Sequence, residues 1–202
     1  MGAHLEKVTA VMVFNGMITP FECVTTYKGK PIVKPPVSTK TGKMDFSEDN
    51  VCTPRYDVFK DWLGLESPLI ITAENASDDT HFLHVSGSQC GVYSWLGGMA
   101  FEHQMKMKGK TNVERIMYPG GPHILDPPYN ALAKFIYQNV VPYRPSFIKS
   151  PYPGSYIYYG GEVEALCKAQ EEIWPKALGF LKKHVMDESP WYQKNVKNKS
   201  KL

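Results

Sequence analysis

Hydrophobic positions along this chain recur with two different periods, and the alternation between them predicts an α/β protein. Residues 8–14, Val-Thr-Ala-Val-Met-Val-Phe, form a short run rich in Val and Met that reads as a strand buried on both faces. Such a strand needs neighbours on both sides. Too few strand candidates follow to supply them, so the run is expected to belong to a larger sheet. Asn15-Gly16 ends it as a turn. Residues 82–86 form the next strand. Residues 92–108 then place apolar or aromatic side chains at Val92, Trp95, Leu96, Met99 and Met105, which predicts a helix despite Gly97-Gly98, with Lys108-Gly109-Lys110 as its stop. Residues 113–117 are a third strand, so 82–117 reads as a strand-helix-strand unit whose crossover implies a parallel sheet. Residues 163–184 carry Ala165, Leu166, Ala169, Ile173, Ala177, Leu178 and Leu181 at helical spacing, with Pro175 a kink and basic residues in the last turn.

Weaker signals fill the intervals. Residues 1–7 read as the end of something helical, and residues 23–27 and 31–33 as a small hairpin or an exposed excursion around Lys28-Gly29-Lys30. Residues 34–49 are rich in Pro, Ser, Thr, Lys and Gly and predict a long surface loop. Residues 56–63 suggest a helical turn or two, 69–72 a short extended segment and 74–80 a polar connection. A helix is expected over 130–140 and a loop over 142–154. No internal repeat or low-complexity tract stands out.

Composition narrows the class. A chain of 202 residues can bury one good-sized core, and 43% hydrophobic against 21% charged residues excludes wholesale disorder. The net charge of +3 comes without a basic stripe interleaved with aromatics, so nucleic acid is a poor partner. No apolar run reaches bilayer length and the N-terminus lacks a secretory pattern, so the reading is a soluble protein with no membrane span, not secreted. Cys23, Cys52, Cys90 and Cys167 form no Cys-x-x-Cys pair, which argues against zinc or a redox motif and for free thiols. The chain closes on Ser200-Lys201-Leu202 after a polar, lysine-rich tail, and that tripeptide is read by the peroxisomal import receptor. The expected address is the peroxisome, otherwise the cytoplasm.

Chemistry concentrates in Tyr118-Pro119-Gly120-Gly121-Pro122-His123-Ile124-Leu125-Asp126-Pro127-Pro128-Tyr129. Glycines and prolines make this a loop just past a strand, where hydrolase sheets carry a general base. His123 is therefore a candidate base; the alternative is an imidazole that closes its own loop. Gly87-Ser88-Gln89-Cys90-Gly91, between a strand and a helix, is superficially a nucleophile elbow, but its central residue is Gln89 and Cys90 stands one position late. Cys90 with His123 is either a free-standing nucleophile dyad or a packed thiol beside a loop.

These residues also carry a resemblance. The His123 loop resembles that of the acyl-CoA thioesterases and bile acid-CoA:amino acid N-acyltransferase, whose pattern is Tyr-Pro-Gly-x-Gly-His-x-Ile-Glu-Pro-Pro-Tyr. Gly160-Gly161-Glu162, Ala165, Lys168-Ala169-Gln170-Glu171 and Trp174 are similar to the same family's C-terminal signature, and Val8-Thr9-Ala10, Asn15-Gly16 and Tyr27-Lys28 to its strand after the nucleophile helix. The resemblance implies the C-terminal part of an α/β-hydrolase domain over residues 1–188, a partial and mostly parallel sheet with flanking helices, followed by a tail over 189–202.

It also implies acyl-CoA as substrate, with no cofactor or metal, and either hydrolysis of the thioester or transfer of the acyl group to an amino acid. His123 matches the family's histidine. The family's aspartate would fall at Cys90, and Asp78 and Asp79 precede the strand and so belong at the other end of the sheet. The nucleophile elbow would precede Val8. Losing the acid costs on the order of 10⁴ in rate in a triad enzyme, and without a nucleophile no acyl-enzyme forms. The isolated chain is thus expected to be inactive unless the missing residues are supplied, either because it is a partial gene product or because another subunit completes the site. The alternative is a non-catalytic remnant that binds acyl-CoA or a protein, and a third possibility is a sheet that does not fold stably alone because residues 8–14 become an unprotected edge.

Overall fold

The computed structural model describes residues 8–16, 25–27, 30–33, 44–54, 56, 76–130, 132, 135–137 and 156–186. Its centre is a three-stranded parallel sheet in the order β1 (Ala10–Phe14), β6 (His81–Gly87), β7 (Val113–Tyr118). Ala10 pairs with His81 and Phe14 with Val85, while Phe82 pairs with Val113 and Gly87 with Tyr118. Helix α1 (Ser94–Met107) makes the crossover from β6 to β7, and α2 (Val163–Val185) packs against β1 and β6. This is the α/β class that the periodicities predict.

Alternation along the strands divides the core into two layers. Phe82 joins Ala76, Phe101 and Met105 on the α1 side, with Val11 and Val113 against them. Leu83 and Val85 point the other way, to Leu125 and to Leu166, Ala169, Ile173, Ala177 and Phe180 of α2. The strand buried on both faces is β6, not β1, which is half-buried throughout. The reason is topological: β6 is flanked by a strand on each side, whereas among the described residues β1 pairs with β6 alone. Glu102 ties α1 to the sheet, accepting from Arg115 at 2.6 Å and from Lys106 at 2.8 Å.

Helix α2 continues through Pro175, whose exposed position lets water meet the carbonyl that loses its partner there. At the other helix, Gly109 adopts φ +70° just beyond α1, as expected of its stop.

The remaining strands depart from expectation. The hairpin of β2 (Thr25–Tyr27) and β3 (Lys30–Val33) forms as read, with a register shift at Thr25/Thr26. In the predicted surface loop, β4 (Met44–Phe46) pairs antiparallel with β5 (Val51–Pro54). In the predicted helix over 130–140, β8 (Phe135–Tyr137) pairs antiparallel with β9 (Tyr156–Tyr158), and β9 continues the ladder to β5. Phe-Ile-Tyr has β-branched and aromatic character that suits a strand, and its long-range partner outweighs the local helical pattern. The readings over 1–7, 69–72 and 142–154 lie outside the described residues, as does all but Tyr56 of 56–63.

Candidate active site

Three segments meet beyond the C-terminal ends of the parallel strands. The first is the β6–α1 turn. Gly87 ends the strand, and a β-carbon there would overlap the carbonyls of Gly121 and Pro122, so its lack of a side chain lets the second segment, the His123 loop, approach. Backbone bonds lock the two together: Ser88 N–H donates to Tyr118 O at 2.9 Å and Gln89 N–H to Gly121 O at 3.0 Å. The Ser88 hydroxyl accepts from Gly120 N–H at 2.8 Å. The third segment is 159–161, where Tyr159 O accepts both from Gly91 N–H at 3.0 Å and from His123 N–H at 2.9 Å. Gly160, at φ +82°, bridges to Cys90.

This framework brings the two candidate residues together. Cys90 Sγ lies 3.2 Å from Nδ1 of His123 and 3.1 Å from the Ser94 hydroxyl. The imidazole stacks on Tyr159, with ring centroids 4.9 Å apart and planes 14° from parallel. Cys90 is 2% exposed. Burial pushes its thiol up from the ordinary value, and burial also lowers His123 to about 4. Both shifts disfavour charge, so at neutral pH the pair is a thiol beside a neutral imidazole. A nucleophilic cysteine needs the opposite arrangement, a stabilised thiolate in reach of substrate. The uncharged pair is the environment expected of a packed thiol beside a loop.

Asn15 and Ser94 complete the cluster, and neither was singled out as a site residue from sequence. Asn15 caps β1 in a left-handed conformation, φ 45°, which asparagine tolerates better than most side chains. Its Nδ2 donates to the carbonyls of Pro122, at 3.1 Å, and His123; its Oδ1 accepts from Gly87 N–H at 3.0 Å and from the Ser94 hydroxyl at 2.9 Å. One buried amide thus joins β1, the β6–α1 turn and the histidine loop. The available signal was the Asn-Gly pair after a strand, which reads equally as an ordinary turn.

Asp78 and Asp79 are exposed before the start of β6, away from the loop that follows β7, as the sequence order implied. Ser200, Lys201 and Leu202 lie outside the described residues. No group of three or more His, Cys, Asp or Glu among the described residues is placed to hold a metal ion, and no helix among them is long and apolar enough to cross a membrane.

Residues 1–187 match the family model described as BAAT / acyl-CoA thioester hydrolase C terminal. The chain belongs to that family. Among characterised members it is 25% identical over 189 residues to human bile acid-CoA:amino acid N-acyltransferase, covering 92% of this chain and 40% of that protein. It is 26% identical over 197 residues to mouse mitochondrial acyl-coenzyme A thioesterase 2, covering 94% and 38%, and 25% identical over 186 residues to mouse peroxisomal succinyl-coenzyme A thioesterase, covering 92% and 40%. The chain therefore spans about 40% of the length of these curated relatives. For this BAAT / acyl-CoA thioester hydrolase C-terminal chain, the parallel sheet with flanking helices corresponds to part of an α/β-hydrolase fold.

Proposed function

We propose that this chain serves a site that cleaves acyl-CoA thioesters or transfers their acyl group, contributing His123 as general base and Cys90 as the group that holds its ring. The observation that carries the reading is the 3.2 Å contact between Cys90 Sγ and His123 Nδ1. A histidine base works with one nitrogen held and the other directed at the nucleophile's proton, and Nδ1 is the held nitrogen here. Among the described residues the side-chain hydrogen-bond partner of the imidazole is Cys90, and in this reading the nucleophile is supplied from outside them, by a longer gene product or a completing subunit. Residues 1–188 would form this catalytic module, and Ser200-Lys201-Leu202 would direct it to the peroxisome through the import receptor.

A second reading, acyl-CoA binding without turnover, is favoured by the uncharged character of the pair. A thiol donates or accepts a weak hydrogen bond but does not stabilise an imidazolium as a carboxylate does. Release of free CoA from a panel of acyl-CoAs, measured for the folded 202-residue chain beside its His123→Ala variant, separates the readings. Turnover lost in the variant supports the first. A folded chain that binds acyl-CoA in calorimetry but releases no CoA supports the second.

A further inference from the structure

We infer that Asn15 and Ser94 are positioning residues that fix the direction of a hydrogen-bond relay through Cys90, so that neutral His123 carries its proton on Nδ1 and presents a bare lone pair on Nε2. The proton count begins at Asn15. Its amide orientation is determined by its surroundings: two carbonyls, of Pro122 and His123, face Nδ2, and the N–H of Gly87 faces Oδ1. A flipped amide would set oxygen against oxygen and N–H against N–H. Oδ1 has no proton to give, so the 2.9 Å contact with Ser94 consumes that hydroxyl's single hydrogen.

The consequence passes along the chain of contacts. With its hydrogen on Asn15, the Ser94 oxygen can only accept at its 3.1 Å contact with Cys90, so the thiol S–H points to Ser94. Sulfur is then left with lone pairs at its 3.2 Å contact with Nδ1, and the ring must donate. Ser94 is fully buried and Cys90 nearly so, which keeps bulk water from supplying an alternative donor. A base is useful only with an unprotonated nitrogen facing its substrate, and this relay leaves Nε2 in that state without a carboxylate. The catalytic use of that nitrogen rests on the function proposed above; the proton arrangement does not.

Long-range ¹H–¹⁵N correlation spectra of the full chain labelled at histidine nitrogen, at neutral pH, read the tautomer of His123 directly, with His123→Asn for assignment. The expected result is a predominant Nδ1–H tautomer. Ser94→Ala frees the thiol proton to turn toward the ring and should shift the population to Nε2–H, while Ser94→Thr, which keeps the hydroxyl, should restore Nδ1–H. A purely structural role for Ser94 would change stability and leave the tautomer alone. An Nε2–H majority in the wild-type chain, or an unchanged tautomer in folded Ser94→Ala, overturns the inference. If Ser94→Ala does not fold, the wild-type spectrum still decides. Turnover does not enter the readout, so this inference stands or falls apart from the proposed activity.

Discussion

Gly98 of α1 lies against the imidazole of His84 on β6, so closely that a β-carbon at position 98 would overlap Nδ1 of that ring. His84 is 3% exposed, its Nε2 is 3.3 Å from the carbonyl of Gly16, and its Nδ1 has no hydrogen-bond partner among the described residues. Gly98, one of the two glycines that weaken the helical pattern in the sequence, is therefore a packing device: it lowers α1 onto a strand that carries a bulky ring.

Gly98→Ala should accordingly destabilise the protein although it improves helix propensity. Overpacking a closed core costs about 1–3 kcal/mol, against a propensity gain of about 1 kcal/mol for replacing glycine with alanine in a helix. The ring held at Gly16 has little freedom to retreat. Urea unfolding of Gly98→Ala, His84→Ala and the double variant measures the coupling, which should be favourable because the smaller side chain at 84 makes room. Additive single effects would show that the ring moves aside instead.

The buried histidines should make stability fall on mild acidification. Burial lowers both His84 and His123 from 6.5 to about 4, and also lowers His81 and His184. For each such group the unfolded chain binds protons more readily than the folded chain. The contribution is fully present above the unfolded value of 6.5 and is lost as pH falls toward about 4, below which the loss is complete. For His84 and His123 the shifts correspond to about 3 kcal/mol each. Unfolding free energies measured across this window should decline toward the acid end, and His84→Asn should flatten the decline. A pH-independent unfolding free energy would contradict the burial of both rings.

Replacing the thiol by a carboxylate should reverse the behaviour of His123. In Cys90→Asp an anion would stand where the sulfur lies 3.2 Å from Nδ1, favouring the imidazolium. The titration midpoint of His123, followed by NMR, should rise by roughly 1–3 pH units. With the Ser94 hydroxyl hydrogen committed to Asn15, the buried carboxylate gains no donor there, and desolvation should lower stability by about 1–3 kcal/mol. Where CoA release is measurable it should increase, because a charged acid stabilises the protonated base formed during turnover. A midpoint that does not rise would mean that the side chain at 90 does not control the ring.

Local pattern alone determined the β6–α1–β7 unit, the long α2 helix and the placement of His123 on a loop after a strand. Each rests on contacts within a few residues: helical periodicity, a stop such as Gly109, or the fixed backbone of a Gly- and Pro-rich loop. Cys90 could be put at the acid's place from the family resemblance, but its role could not. Its closeness to His123 depends on Tyr159 O bonding both Gly91 and His123, which joins positions far apart in the chain. The mixed sheet of β4, β5, β9 and β8 was illegible for the same reason. Strands of three or four residues carry too little periodicity to be seen, and Val51 finds Tyr156 only after the chain between them has folded back. Asn15 is the sharpest instance: its sequence context permits an ordinary turn, and it becomes the centre of the site because the ends of β1, β6 and the histidine loop converge on one buried amide with the right number of donors and acceptors.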